Sequence, residues 1–473
     1  MALALGLGLL AAVLWVLSGA ASPMALAQAG TGIIRVATTG LDAPGCGIAS
    51  SPCRTLQYAV DLAPAGAEVR VAAGLYTGVR NVPSLNTGNF TATQLLVITQ
   101  NVTIQGGYTA SDWDTPDALV HPTTLDAQRA GRVLLISGDV SPTVEGLRIT
   151  GGDATGLGGS PYGGADAGGG VYILGASARL DNNWIVSNTA EHGGGLFLWH
   201  GRACISGNTV SSNMAVIGGG LFLYDSPAAL SANSVTGNNA SEGGGLFLTS
   251  SDATLSGNSV TCNRALNDGG GVYLDWSDAA LGANTITGNT AGDLGGGLLL
   301  HGSQATFVND VIADNQAGTG SGLWIRSCSP QFLHTTIARN QGGDGVGIYI
   351  THHSSTGHST LALTNTVLVS HTVGITIVAG NSARLEGTLW HGNGADWGGP
   401  GSLVTGTHNS WGDPRFRADG YHLMDGSPAI DRGVDAGVRT DIDGALRPEG
   451  LGFDLGADEF KQQLLYLPLA RRK

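Results

Sequence analysis

Gly193-Gly-Gly-Leu-Phe-Leu198 is followed 25 residues later by Gly218-Gly-Gly-Leu-Phe-Leu223, and after 25 more by Gly243-Gly-Gly-Leu-Phe-Leu248. Upstream the phrase reads Gly-Gly-Gly-Val-Tyr-Ile, ending at Ile173. Downstream it returns as Gly-Gly-Gly-Val-Tyr-Leu ending at Leu274 and Gly-Gly-Gly-Leu-Leu-Leu ending at Leu300. Weaker copies end at Ile325, Ile350 and Ile377, giving steps of 25, 25, 25, 26, 26, 25, 25 and 27 residues. A period this regular means stacked copies of one small unit, not a conventional core.

Each unit carries three apolar pieces. In one copy Leu196 and Leu198 flank Phe197, Ile205 stands alone, and Val210 lies between Thr209 and Ser211. Leu246, Leu248, Leu255 and Val260 repeat the set, as do Val272, Leu274, Leu281 and Ile286. Alternation over three to five residues is the strand signature, and no stretch here holds a helical period. The unit therefore predicts an all-β fold, a right-handed parallel β-helix with three short strands per coil. Coils rise roughly 4.8 Å each, so nine copies span on the order of 40 Å.

Asn188, Asn213, Asn238, Asn263, Asn289, Asn315 and Asn340 share one place in the unit, and Asn183, Asn208, Asn233, Asn258 and Asn284 share another. A corner residue that tolerates left-handed geometry and bonds the coils above and below suits Asn, so both sets read as structural ladders. The glycine-aromatic phrase alternating with aliphatic-x-x-Asn resembles the β-helix repeats of pectate-lyase-like proteins. It is also similar to the repeats of polymorphic outer membrane proteins and related bacterial adhesins. The resemblance spans about residues 140–380 and implies a fold shared by lyases, hydrolases, epimerases, adhesins and spacers.

The ends read differently. Residues 1–29 hold an apolar run from Ala2 to Ala21 and small-residue sites at Ala27 and Ala29, the pattern of a secretory signal peptide. Residues 30–139 form an N-terminal cap and first irregular coils; Leu56, Ala59, Val60 and Leu62 have the spacing of one helical face that could plug the coil. After the regular repeats of 140–380, residues 381–460 comprise the last coils and a C-terminal module, and 461–473 a tail. Ser427-Pro-Ala-Ile-Asp-Arg-Gly433, Thr440-Asp-Ile-Asp-Gly444 and Phe453-Asp-Leu-Gly-Ala-Asp-Glu-Phe460 look like the choice-of-anchor module of bacterial surface proteins. That resemblance implies export and surface display.

The 473 residues include 77 glycines, only 12% are charged, and the net charge is -14. With 22 Lys plus Arg against 36 Asp plus Glu there is no basic footprint for nucleic acid. Cys46 and Cys53, in a Gly/Pro/Ser-rich loop, are placed for a local disulfide. Cys204, Cys262 and Cys328 fall on separate units and read as buried thiols.

Chemistry, if present, lies outside the tube. Alternation puts Tyr172, Phe197, Phe222, Phe247, Tyr273, Leu299, Trp324 and Tyr349 on one outward stripe. Such a ladder could stack sugars, but ring-on-ring packing under loops weighs more, since large exposed apolar patches are uncommon on monomers. The next outward row is Trp199, Tyr224, Thr249, Asp275, His301, Arg326 and Thr351, with His200, Asp225, Trp276, His352 and His353 adjoining. Trp199, Tyr224, Trp276 and Trp324 are the candidate glycan contacts. Asp275 or His301 is a candidate base, and Arg326 a candidate partner for a uronate carboxylate. No coil offers a cluster of Asp, and the Gly-His-Gly and Asp-Pro-His signatures of related enzymes are absent. No zinc spacing is seen. Calcium could be held by Asp441, Asp443 and Gly444 with Asp435 or Asp454, although Asp-Gly turn chemistry accounts for them better. The expectation is a monomeric, secreted or surface-displayed rod without a cofactor. It would bind an extracellular glycan or a cell-envelope protein and perform no chemistry. A polysaccharide lyase, hydrolase or epimerase is the alternative.

Overall fold

The computed structural model describes residues 32–83, 91–162, 164–354 and 357–461; the signal segment and most of the tail lie outside them. The chain winds into an all-β parallel solenoid of about 11 turns. Each regular coil has a glycine-led strand such as Leu196–Trp199, then Cys204–Ser206, then Thr209–Ser211. Successive coils pair in parallel and in register: Leu196 with Leu221, Ile205 with Leu230, Val210 with Val235. Leu, Ile and Val at these positions point inward and are fully buried, from Val171 to Ile377. Period-2 alternation thus becomes a continuous apolar column.

All three corners follow one rule: a left-handed residue, then an inward polar side chain. At the corner after Ile205, Gly207 (φ +65) precedes Asn208; after Val210, Ser212 (φ +55) precedes Asn213. The sequence reading placed the left-handed geometry on the Asn itself, whereas the structure puts it one residue earlier. That shift turns the amide into the tube. There the Oδ1 of Asn213 accepts the Asn188 N–H at 3.0 Å and the Asn188 Nδ2 at 3.1 Å. Its own Nδ2 donates to the Ile185 carbonyl at 2.9 Å and to the Asn238 Oδ1 at 3.0 Å. Asn is well suited to stack on itself because one amide presents both donors and acceptors.

The third corner carries a ladder that the sequence reading missed. Ser226, Ser251, Ser277 and Ser303 take successive backbone N–H bonds, and the column runs on through the Cys328 thiol at 3.2 Å to Ser359 and Asn381. Cys328 is therefore buried and structural. Cys204 and Cys262 are exposed, contrary to expectation. Cys204 occupies an outward strand position beside inward Ile205, and Cys262 (φ +56) the left-handed corner before Asn263.

At the N-terminal end, the helix Leu56–Leu62 starts from Thr55, whose Oγ1 accepts the Tyr58 N–H at 3.3 Å. Leu56, Ala59 and Val60 are buried against the first coils; Leu62, assigned to the same face, is exposed. A Cys46–Cys53 disulfide closes the preceding loop.

The C-terminal module is not an appendage, because it folds back along the side of the solenoid. Leu423, Ala429, Leu455 and Ala457 pack on Val311, Ala313, Ala338, Val367, Val369 and Leu389. Those late coils carry Val and Ala where earlier ones carry Thr209, Ser211, Ser234 and Thr236 on the same outward face. Asn365 anchors the segment, donating to the Val434 carbonyl at 2.7 Å and accepting its N–H at 2.8 Å.

Asn213→Ala leaves the buried Asn188 N–H without its acceptor and removes one bond each from the Asn188 Nδ2, the Ile185 carbonyl and the Asn238 Oδ1. At about 1–3 kcal/mol for the orphaned group and less for each lost bond, urea melts should show a loss of roughly 3–5 kcal/mol. Asn239→Ala, at an exposed position, should stay within about 0.5 kcal/mol. Asp310 ends the other ladder, accepting the Asn284 N–H at 2.8 Å and the Asn284 Nδ2 at 2.9 Å. Burial pushes its carboxyl up to about 7. A raised carboxyl stabilises the fold while protonated, and that contribution is lost as pH rises through the folded value. The melting temperature of Asp310→Asn should therefore gain on the native chain between about pH 4 and pH 8.

Candidate functional site

The aromatic stripe points out of the tube but is covered. Tyr172, Phe197, Phe222 and Phe247 are buried, with ring centroids 5.4, 5.2 and 5.0 Å apart in turn. A loop lies over the lower rings: the Tyr172 hydroxyl donates to the Gly159 carbonyl at 2.6 Å, and Ser160 meets His192 at 2.8 Å. Arg132, fully buried, holds the loop through the Ala167 carbonyl at 2.6 Å, and burial lowers it to about 10. Trp324 is likewise buried at 6% exposure, which removes it from the candidate glycan contacts. Its ring lies beneath the Arg326 guanidinium, 5.0 Å from centroid to carbon.

The second outward row assembles as its spacing requires. Trp199, Tyr224, Thr249, Asp275, His301 and Arg326 are register partners on successive coils. His301 Nδ1 lies 2.9 Å from Asp275 Oδ1, and the Thr249 hydroxyl donates to Asp275 Oδ2 at 3.2 Å. Trp276, in the left-handed corner (φ +49), is 52% exposed and stands edge-on to His301 at 5.5 Å. His200 and Asp225 pair at 2.9 Å one corner away.

Opposite this row stand two acids absent from the sequence reading. Glu242 and Asp268 end the short strands Asn239–Glu242 and Arg264–Asp268 and are register partners. Both are half-buried. Burial raises the Glu242 carboxyl, and Asp268 and Asp275 raise it further. Burial also raises Asp268, with the Leu294 N–H at 3.2 Å opposing. Tyr273 lies between the two sides: burial raises its hydroxyl, and the charges of Asp275, Glu242, Asp268 and Arg326 all reach it. Tyr162 comes over from the covering loop, its ring 5.8 Å from that of Tyr224. Tyr273 is thus reached by the charges of Glu242 and Asp268, before it in the coil, and of Asp275, beyond it and paired with His301. Arg326 stands at one end of the row and Tyr162 with Tyr224 toward the other. The missing signal was legible as an acid directly before Gly-Gly-Gly in two consecutive copies.

The calcium set does not assemble. Asp435 pairs with Arg439 at 3.1 Å. Asp454 accepts the Asp431 and Phe460 N–H groups at 2.7 Å each. Asp441 accepts those of Asp443 and Ala445 at 3.0 and 2.7 Å. Among the described residues no helix is long and apolar enough to cross a membrane.

A stacked, right-handed coil with polar and aromatic rows on its glycine-led face defines a class, and comparison identifies the family. The description "right handed beta helix region" matches residues 130–310 and 263–389, more than half of the chain, which belongs to that family. No curated protein matches it. Among solved structures, pectate lyase Pel9A is 12% identical over 92% of this chain and 98% of its own, with TM-score 0.32. The catalytic unit of the GH87 alpha-1,3-glucanase from Streptomyces thermodiastaticus is 13% identical over 76% and 66%, with TM-score 0.42. The Azotobacter vinelandii mannuronan C-5 epimerase AlgE6 A-module is 13% identical over 76% and 94%, with TM-score 0.38. Likenesses this distant carry no information about activity.

A carboxyl raised by burial and a like-charged neighbour destabilises the fold once ionised. Glu242→Gln and Asp268→Asn should thus melt a few degrees above the native chain at neutral pH. The gap should close as pH falls toward about 4, measured by scanning calorimetry.

Proposed function

We propose that this protein is a secreted or surface-displayed β-helix that binds an extended, neutral glycan in the groove over Tyr273. The carrying observation is the groove's composition: exposed Trp276 and Tyr162 and half-buried Trp199 and Tyr224 beside acids and a histidine on consecutive coils. Aromatic faces stack on sugar rings, and carboxylates and imidazole bond hydroxyls. Charge argues against a uronate ligand. Glu242, Asp268, Asp275 and Asp293 outnumber Arg326 and His301, and Asp268 already lies within reach of Arg326. The Cys46–Cys53 bond supports an oxidising compartment. On this reading the module at 381–460, similar to choice-of-anchor sequences, belongs to surface attachment.

One observation favours a second reading, in which the bound glycan is hydrolysed. Two half-buried carboxyls with raised affinity for protons, facing a third carboxylate across a tyrosine, are the groups glycoside cleavage uses. Glu242 or Asp268 would then protonate the leaving oxygen.

Affinity gels containing glucans, xylan, pectate or alginate test both readings. The native chain should be retarded by a neutral polymer, and Trp276→Ala should weaken binding roughly tenfold. Release of reducing ends, abolished by Glu242→Gln or Asp268→Asn, would establish hydrolysis. Retardation by pectate or alginate in preference, or by no polymer, would refute the neutral-glycan assignment.

A further inference from the structure

The folded-back C-terminal segment covers a different face of the coil from the groove, and it gathers a second set of chemically active side chains. His422 sits between two carboxylates: Asp419 Oδ2 is 2.8 Å from Nδ1 and Asp443 Oδ2 is 2.5 Å from Nε2. Asp458 joins them, and one ligand atom each from His422, Asp443 and Asp458 lie within 4.8 Å of one another. All three line a cavity of about 360 Å³.

Asp458 supplies an independent pointer. It is 6% exposed, and the Leu423 N–H donates to its Oδ2 at 2.6 Å. Among the described residues nothing donates to its other oxygen, although the side chain borders the cavity. That oxygen faces the open space of the cavity, where a cation can reach it. Beyond His422 itself, no protein cation pairs with it among the described residues. Arg447, the buried cation of this segment, is paired with Glu459 at 2.8 Å. Arg417 and Lys461 border the cavity but form no ion pair with the cluster among the described residues. The other nearby acid, Asp441, has both oxygens engaged by backbone N–H groups of Asp443, Ala445 and Glu459.

We propose that His422, Asp443 and Asp458 bind a divalent transition-metal ion of the Zn²⁺ type, with Asp419 orienting the imidazole. Donor chemistry selects the ion. One imidazole nitrogen with two carboxylate oxygens suits zinc and its first-row neighbours, whereas Ca²⁺ and Mg²⁺ take oxygen ligands. A carboxylate holding the far ring nitrogen is the usual outer partner of a metal-bound histidine. Metal binding releases to solvent the proton shared by Nε2 and Asp443. The ligands come from three stretches of chain: the Asp419–Leu423 turn, the turn bridged between Thr440 and Leu446, and the final stretch that packs through Leu455 and Ala457. The ion thus ties the segment together where it lies on the coil.

The full chain, stripped with a chelator and dialysed, is titrated with Zn²⁺ alone by calorimetry and with Co²⁺ by visible absorption. One equivalent should bind and raise the melting temperature, and Ca²⁺ should not compete. Asp443→Asn, at an exposed turn, should fold normally and lose about 100-fold in affinity, and Asp419→Asn about 10- to 100-fold. His422→Ala should abolish the Co²⁺ spectrum. No stoichiometric binding, binding unchanged in Asp443→Asn and Asp419→Asn, or preference for Ca²⁺ would each overturn the site.

Discussion

Everything in this molecule depends on one coil sitting in register on the next, so that each side chain meets its own counterpart about 4.8 Å away. Stacking in that manner asks a residue to be compatible with itself. Inside the tube, aliphatic side chains satisfy the condition by excluding water, and asparagine satisfies it by presenting both a donor and an acceptor. The columns change character where that symmetry fails. The ladder through Asn284 stops at Asp310, a carboxyl with no donor to offer the next coil unless protonated. The other ladder passes from Asn340 to His371 at 3.3 Å, where burial lowers the imidazole to about 4 and keeps it neutral.

The same requirement has the opposite effect on the exterior. Rings on the outward stripe gain by stacking, so Phe197, Phe222 and Phe247 form a continuous pile beneath a loop. Acids lose by it. Glu242 above Asp268 is a like-charge pair that the strand register imposes and burial aggravates. A structure with so few charged residues that still places two of them on consecutive coils has local instability just where the groove opens, as functional surfaces often do.

Much of the architecture was legible in the repeat: the class of fold, the inward and outward alternation, both asparagine columns and the row from Trp199 to Arg326. Less was legible where the reading relied on one residue type at a time. The serine column escaped notice because Ser is common and its place begins as Gly201, but the spacing was there. Trp324 looked like a contact residue and proved to be covered, since exposure depends on what lies above a stripe, not on its parity. The change from Thr and Ser to Val and Ala at the outward positions after Val311 was also visible. It became meaningful only once Leu423 and Leu455 were seen resting on it.

Periodicity by itself determined the solenoid, because a 25-residue repeat of apolar, glycine and amide positions leaves a chain few other ways to bury its surface. Local order in the chain cannot report which distant segments return to the coil. The covering loop around Tyr162, the acid pair of Glu242 and Asp268, and the meeting of His422 with Asp443 and Asp458 were decided by tertiary structure. The loop over the coil and the His422 cluster are contacts between residues whose separation along the chain carries no period, and the acid pair, though periodic, meets Tyr162 only through packing.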